Sequence, residues 1–248
     1  MNWYNNIKTA QLSHSIKKRI VGGAIAGSLA TAALLALKAT NPDAYQKVQN
    51  KEITIQVAAK NEVNNNFFIQ EIIRVHPDYN EYSSYVQSWE GFLRNPKMLS
   101  NEKFYTIGVG HRLDGSDRSR ASFAKALPDK SYSSFLSGHG SITKDEAQKL
   151  FRSDMPDYID RARTLTGDRF SSYSTNLKKN IVSATYRGSW GYSPKTRRLL
   201  SEGRYEEAAI EFLNSDEYRN AINLGRRGII KRMDAVAKAI REEGKKKN

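Results

Sequence analysis

Glu90 is followed sixteen residues later by Thr106, inside the run Phe104-Tyr105-Thr106-Ile107-Gly108-Val109-Gly110-His111. One carboxyl facing a hydroxyl across a cleft suits acid-catalysed cleavage of a sugar–sugar bond. A proton must reach the leaving oxygen there. Glu90 lies in Ser88-Trp89-Glu90-Gly91-Phe92. A carboxyl between two aromatic neighbours is partly shielded from water. Shielding disfavours its charged form, as a proton donor requires. The Thr106 hydroxyl both donates and accepts, so it can hold a water or orient a sugar.

The surrounding pattern says what must position these groups. Tyr85, Val86, Trp89 and Leu93 recur at roughly helical spacing, which predicts Glu90 on a helix beside an apolar face. Residues 104–110 alternate like a strand. Tyr105, Ile107 and Val109 share one face, with Phe104, Thr106, Gly108 and Gly110 on the other. The glycine face is expected to stay open to a ligand or another backbone. Residues 112–140 read as a polar, serine-rich excursion that finishes the hairpin lobe and forms a surface insertion. Beyond it the chain is mainly helical. Thr143 and Glu146 make a capping-box pattern at the head of a helix reaching Leu165, kinked or interrupted near Pro156. Residues 176–186 place Leu177, Ile181, Val182 and Ala184 as a buried central helix. Short helices follow at 195–200 and 206–213, then a basic helix at 225–241. On that last helix Arg226, Arg227 and Arg232 face the cleft or form a solvated basic face, the commoner arrangement. Trp190 stands beside Gly188 and Gly191, as a core side chain or a sugar-stacking one, and core packing is the reading taken.

With these residues in place, the chain resembles the phage-type lysozymes, glycoside hydrolase family 24. The resemblance spans roughly residues 84–242 and rests on four segments in order. After the glutamate and the Thr-Ile-Gly hairpin come Ser141-Ile142-Thr143-Lys144-Asp145-Glu146-Ala147-Gln148-Lys149-Leu150-Phe151, then Arg204-Tyr205-Glu206-Glu207-Ala208-Ala209, then Gly225-Arg226-Arg227-Gly228-Ile229-Ile230-Lys231-Arg232. It implies an α+β, lysozyme-like domain, with a small β-hairpin lobe, a larger helical lobe and a cleft between. It implies a muramidase that cleaves the β-1,4 bond from N-acetylmuramic acid to N-acetylglucosamine in peptidoglycan. Glu90 is then the proton donor, and Thr106 places the water or the anomeric face. The resemblance also sets Asp154 against His111, as a structural pair tying the hairpin lobe to the following helix.

One position departs from the family pattern, in which an aspartate or cysteine stands six residues before the threonine. Here that position is Ser100. Three readings stay open. Glu102 substitutes as base, or Ser100 and Thr106 hold the water without a strong base. In the third, the chain is a lytic transglycosylase, whose substrate's own 6-hydroxyl attacks. A catalytically decayed, glycan-binding virion protein is the non-enzyme alternative.

Composition bounds the rest. The 248 residues contain no cysteine, which excludes disulfides, thiol nucleophiles and cysteine zinc sites. The net charge is +14. Before Tyr85 there are nine basic and six acidic residues, and from Tyr85 onward thirty-one and twenty, so most of the excess is in the catalytic part. A basic surface steers a protein toward polyanions, and peptidoglycan fits. No nucleic-acid-binding module is recognisable, so nucleic acid is not an expected partner. Nothing implies a metal or nucleotide cofactor.

The N-terminal part reads as a different unit, divided into an apolar helix over 1–40 and a linker or docking arm over 41–82, with the catalytic domain at 83–248. Lys17-Lys18-Arg19 precedes eighteen uncharged residues, Ile20 to Leu37, rich in alanine and glycine. Basic residues before an apolar run have the shape of a signal peptide or anchor. Eighteen residues just span a bilayer, but their low hydrophobicity makes a poor permanent anchor. Two roles are expected: transient membrane contact, as in an endolysin with a releasable signal anchor, or docking to other virion or tail proteins through residues 1–82. The forty-residue polar tract favours the virion, with action on the host cell wall during entry.

Overall fold

The computed structural model describes residues 70, 73–99 and 102–247, and of Lys247 the backbone alone. The chain divides into two compact units, Met1–Ile69 and Gln70–Asn248. The expectations for residues 1–69 lie outside the described residues, as does that for Ser100.

The second unit is α+β: mostly helical, with one small antiparallel sheet. Helix α1 (Tyr79–Gln87) leads into strands β1 (Leu93–Met98), β2 (Tyr105–Gly108) and β3 (His111–Leu113), in spatial order β1-β2-β3. Helices α2 (Asp117–Ala126) and α3 (Tyr132–Leu136) follow, then α4 (Lys144–Thr166) and a 3₁₀ turn at Asp168–Ser172. The remainder is α5 (Thr175–Arg187), α6 (Pro194–Ser201), α7 (Tyr205–Leu213), α8 (Asp216–Asn223) and α9 (Arg227–Lys247).

Helix α5 is central, as its apolar spacing predicts. Leu177, Ile181, Val182 and Ala184 are buried, and the helix packs against α1, α4 and α9. Gly188 ends it in the left-handed region at φ 98°, where a side chain would be strained. Trp190 is fully buried, donates from Nε1 to Thr166 Oγ1 at 3.1 Å and lies beside Phe212. It is a core residue.

Helix α4 opens with the expected capping box. Glu146 N–H donates to Thr143 Oγ1 at 3.1 Å and Thr143 N–H donates to Glu146 Oε2 at 2.8 Å. The helix is not interrupted at Pro156. Phe151, Asp154 and Met155 are buried before the proline, and Ile159 and Ala162 after it. Packing on both sides outweighs the one backbone hydrogen bond that proline removes.

The segment 112–140 departs most from its reading. It finishes the hairpin lobe with β3, as read, but is not a surface insertion, since its two helices pack around Phe123, which is fully buried against Phe135, Tyr132 and His111. The serines that read as loop are helix furniture. Ser116 caps α2 by accepting from Ser119 N–H, and Ser119 and Ser122 are buried partners of the His111–Asp154 pair.

Packing begins upstream of residue 83, since His76, Tyr79 and Tyr82 are buried. The Arg163 guanidinium donates to His76 Nδ1 at 3.2 Å, and Asp160 lies 3.8 Å from Nε2. Burial pushes the His76 pKa below its ordinary 6.5; Asp160 opposes this and Arg163 adds to it. The folded state therefore binds this proton more weakly than the unfolded chain. The contribution is fully present above about pH 6.5 and is lost as pH falls through the lowered value. Thermal melts of the parent and a His76→Gln variant at pH 7.5 and 5.5 check this. The stability advantage of the parent should shrink at the lower pH; an equal advantage at both would contradict it.

Candidate active site

Glu90 is not on the helix. Helix α1 ends at Gln87, and Glu90 follows a turn in which its N–H donates to Gln87 O at 3.1 Å. Leu93, read as the next helical position, instead starts β1 opposite Gly108. Gly91 favours the break, since glycine weakens a helix by about 1 kcal/mol relative to alanine. Glu90 therefore sits where α1 hands over to the sheet.

Three elements fix its carboxylate. From α9, Arg232 Nη1 donates to Glu90 Oε1 at 2.5 Å. Arg232 is held in turn by α5: its Nε donates to Ser183 Oγ at 2.9 Å and its Nη2 to Ser183 O at 3.0 Å. From the β2–β3 turn, Gly110 comes close at φ 89°. A Cβ there would stand 3.3 Å from Glu90 Oε2 and 3.0 Å from Tyr186 Cε1. Glycine is needed for both the conformation and the approach. Tyr186 braces the same turn by donating to Val109 O at 2.6 Å, and burial holds its phenol well above the usual range. Trp89 stands edge-on to Tyr85, whose hydroxyl donates to Asn180 Oδ1 at 2.7 Å.

Glu90 faces a small open cavity of about 240 Å³, lined also by Gln87, Phe92, Val109, Lys144 and Gln148. That is below the roughly 300–1,000 Å³ of a typical small-molecule pocket. Phe92 is 39% exposed, which leaves an aromatic surface at the cavity wall.

Thr106 and Glu102 meet: Thr106 Oγ1 donates to Glu102 Oε2 at 3.1 Å. Thr106 does not project from an open glycine face, being only 6% exposed. Gly108 turns out of the alternation at φ 64°, and a Cβ there would meet Ile142 and Ala147. The glycine admits the head of α4, not a ligand. Thr106 and Glu102 lie outside the cavity beside Glu90.

His111 and Asp154 pair as the resemblance implies. The Nδ1 nitrogen lies 2.9 Å from Asp154 Oδ2, and both side chains are buried. Ser122 Oγ donates to Asp154 Oδ1 at 2.5 Å, and Ser119 Oγ lies 3.2 Å from His111 Nε2. Ser119 in turn contacts Tyr132, whose hydroxyl accepts from Gly115 N–H at 3.0 Å. The pair thus joins β3, α2 and α4 through buried polar groups.

Arg232 is the residue that sequence reading undervalued. Its signal was spacing: Arg232, Val236, Ile240 and Glu243 fall on one side of α9, and all are buried. An arginine on an apolar stripe needs a buried partner. No group of three or more His, Asp or Glu side chains placed to hold a metal occurs among the described residues, and no helix among them is long and apolar enough to cross a membrane. No protein-family model matches this chain.

Proposed function

We propose that this protein is a lysozyme-like glycosidase that cleaves the β-1,4 bond between N-acetylmuramic acid and N-acetylglucosamine in peptidoglycan. The observation that carries the reading is Glu90. It is a carboxyl at the junction of helix and sheet, open to a cavity and clamped by Arg232 and Gly110. Glu90 delivers the proton to the leaving oxygen. Arg232 fixes the carboxyl's direction and balances its charge once the proton has gone.

Hydrolysis also needs a water directed at the anomeric carbon. The Thr106–Glu102 hydrogen bond supports Glu102 as the acidic group in place of the residue at Ser100. Glu102 accepts the water's proton and Thr106 orients the oxygen. The distinction from transglycosylation can be tested by digesting purified peptidoglycan in ¹⁸O-water. Hydrolysis puts one heavy oxygen on each new muramic end. Unlabelled anhydro-muramic ends would overturn the hydrolytic role of Thr106 and Glu102.

The biological setting we propose is a phage virion, where the enzyme opens the cell wall locally on entry. Support comes from sequence: the basic-then-apolar run before a polar tract of about forty residues. Deleting residues 1–60 should abolish incorporation into particles. Unchanged incorporation would mean that residues 1–60 do not anchor it there.

A further inference from the structure

Val109 and Gly110 make the turn between β2 and β3, and the turn is held on both sides of Gly110. On one side Tyr186 of α5 donates from its hydroxyl to Val109 O at 2.6 Å. On the other, Asp154 of α4 holds His111. Tyr186 is itself packed on α4. Its ring centre lies 4.5 Å from that of Tyr158 and 5.8 Å from that of Phe151. Arg118 closes the stack from α2, 4.2 Å from the Tyr158 ring centre. All of this converges on the residue that abuts Glu90. The place a Gly110 Cβ would occupy is 3.3 Å from both Glu90 Oε2 and Tyr186 Oη. Carboxyl and phenol therefore face the same spot on Gly110.

The carboxyl oxygen at that spot is the one that must carry the proton. A guanidinium offers donors and no acceptor, so Glu90 Oε1 stays an acceptor toward Arg232 Nη1 in either protonation state. In the acid form the proton sits on Oε2. Its direction then depends on what stands against Oε2, which is the Gly110 backbone. The hydroxyl hydrogen of Tyr186 is committed to Val109 O. Burial first, then the charge of Asp154 among its neighbours, holds the phenol well above its usual range, so it stays neutral.

We propose that Tyr186 is a positioning residue for the reaction: through Val109 and Gly110 it sets the direction in which Glu90 Oε2 presents its proton. Being buried, it acts through the turn and not on the substrate. The inference rests on the glycosidase reading given above, and the experiment separates the two.

Tyr186→Phe removes the hydroxyl and leaves the ring stacked on α4. Tyr173→Phe is the matched control: Tyr173 is also buried, and its hydroxyl donates to Leu200 O, a carbonyl of α6 and not of the turn. Both full-length variants are assayed on soluble peptidoglycan fragments beside the parent, with thermal melts to verify folding. A small misplacement of a reacting group costs rate more than binding, so Tyr186→Phe should lower kcat about tenfold and leave KM within about twofold. Tyr173→Phe should leave both constants near the parent's. An unchanged kcat for Tyr186→Phe, a loss confined to KM, or an equal kcat loss in Tyr173→Phe overturns the proposal.

A second readout needs no catalysis and no Tyr186 variant. The ζ-carbons of the tyrosines are followed by ¹³C NMR in the parent and in Glu90→Gln. The Tyr186 signal should move and the Tyr173 signal should stay; an unmoved Tyr186 signal overturns the proposal. If the parent cleaves nothing while the Tyr186 signal moves, the coupling of Tyr186 to Glu90 stands and the glycosidase reading falls. If neither is seen, both fall.

Discussion

Glu90→Gln should lower the rate of peptidoglycan cleavage by about 10²- to 10⁴-fold, the usual contribution of a positioned proton donor, while leaving the fold intact. The amide keeps the shape of the carboxyl and an oxygen that accepts from Arg232 Nη1. What it loses is the proton and the charge. Glu90→Ala is expected to behave differently. Arg232 is 5% exposed and, among the described residues, would keep Ser183 alone as a hydrogen-bond partner. An unsatisfied buried donor costs about 1–3 kcal/mol, more when charged. The alanine variant should therefore be both inactive and less stable, and the glutamine variant inactive with little change in melting temperature. Turbidity clearance of purified peptidoglycan, measured beside thermal melts, separates these outcomes. A glutamine variant as active as the parent would remove Glu90 from the mechanism.

The largest effect on stability should come from Asp154→Ala. Its carboxylate accepts from His111 and Ser122 in a region closed to water. Removing one partner of a buried pair typically costs about 3–5 kcal/mol, because the other is left without compensation. The whole stability of a domain is about 5–15 kcal/mol. A shift of that size lowers the melting temperature of a domain of this length by about 10 °C. Asp154→Asn keeps an acceptor and should lose less. Urea unfolding at constant pH checks both. A loss below about 1 kcal/mol for the alanine variant would mean that the pair contributes little to holding β3 against α4.

The helical lobe was legible in the sequence where periodicity was long and buried, as in α5, and where a local chemical signature marked an end, as in the Thr143–Glu146 box. Two kinds of feature escaped. The first depends on competition between elements. The spacing Tyr85, Val86, Trp89, Leu93 is helical, yet Leu93 pairs with Gly108, and that contact is remote in sequence. The same limit hid α2, whose Ser119 and Ser122 read as loop because the buried groups they bond, His111 and Asp154, lie on other elements. The second is long-range pairing of charge. Arg232 and Glu90 are far apart in the chain, and no local pattern joins them. The Glu90, Thr106 and His111–Asp154 assignments came from a short motif and a resemblance. The Glu102 contact was visible only as one of several residues near Thr106.

The central claim is that this chain cuts the glycan of peptidoglycan using Glu90. The most direct test is mass analysis of what the full chain releases from purified peptidoglycan. The account predicts disaccharide-peptides ending in reducing N-acetylmuramic acid, absent from a matched Glu90→Gln digest. A folded, monodisperse sample that releases no glycan fragments would contradict it.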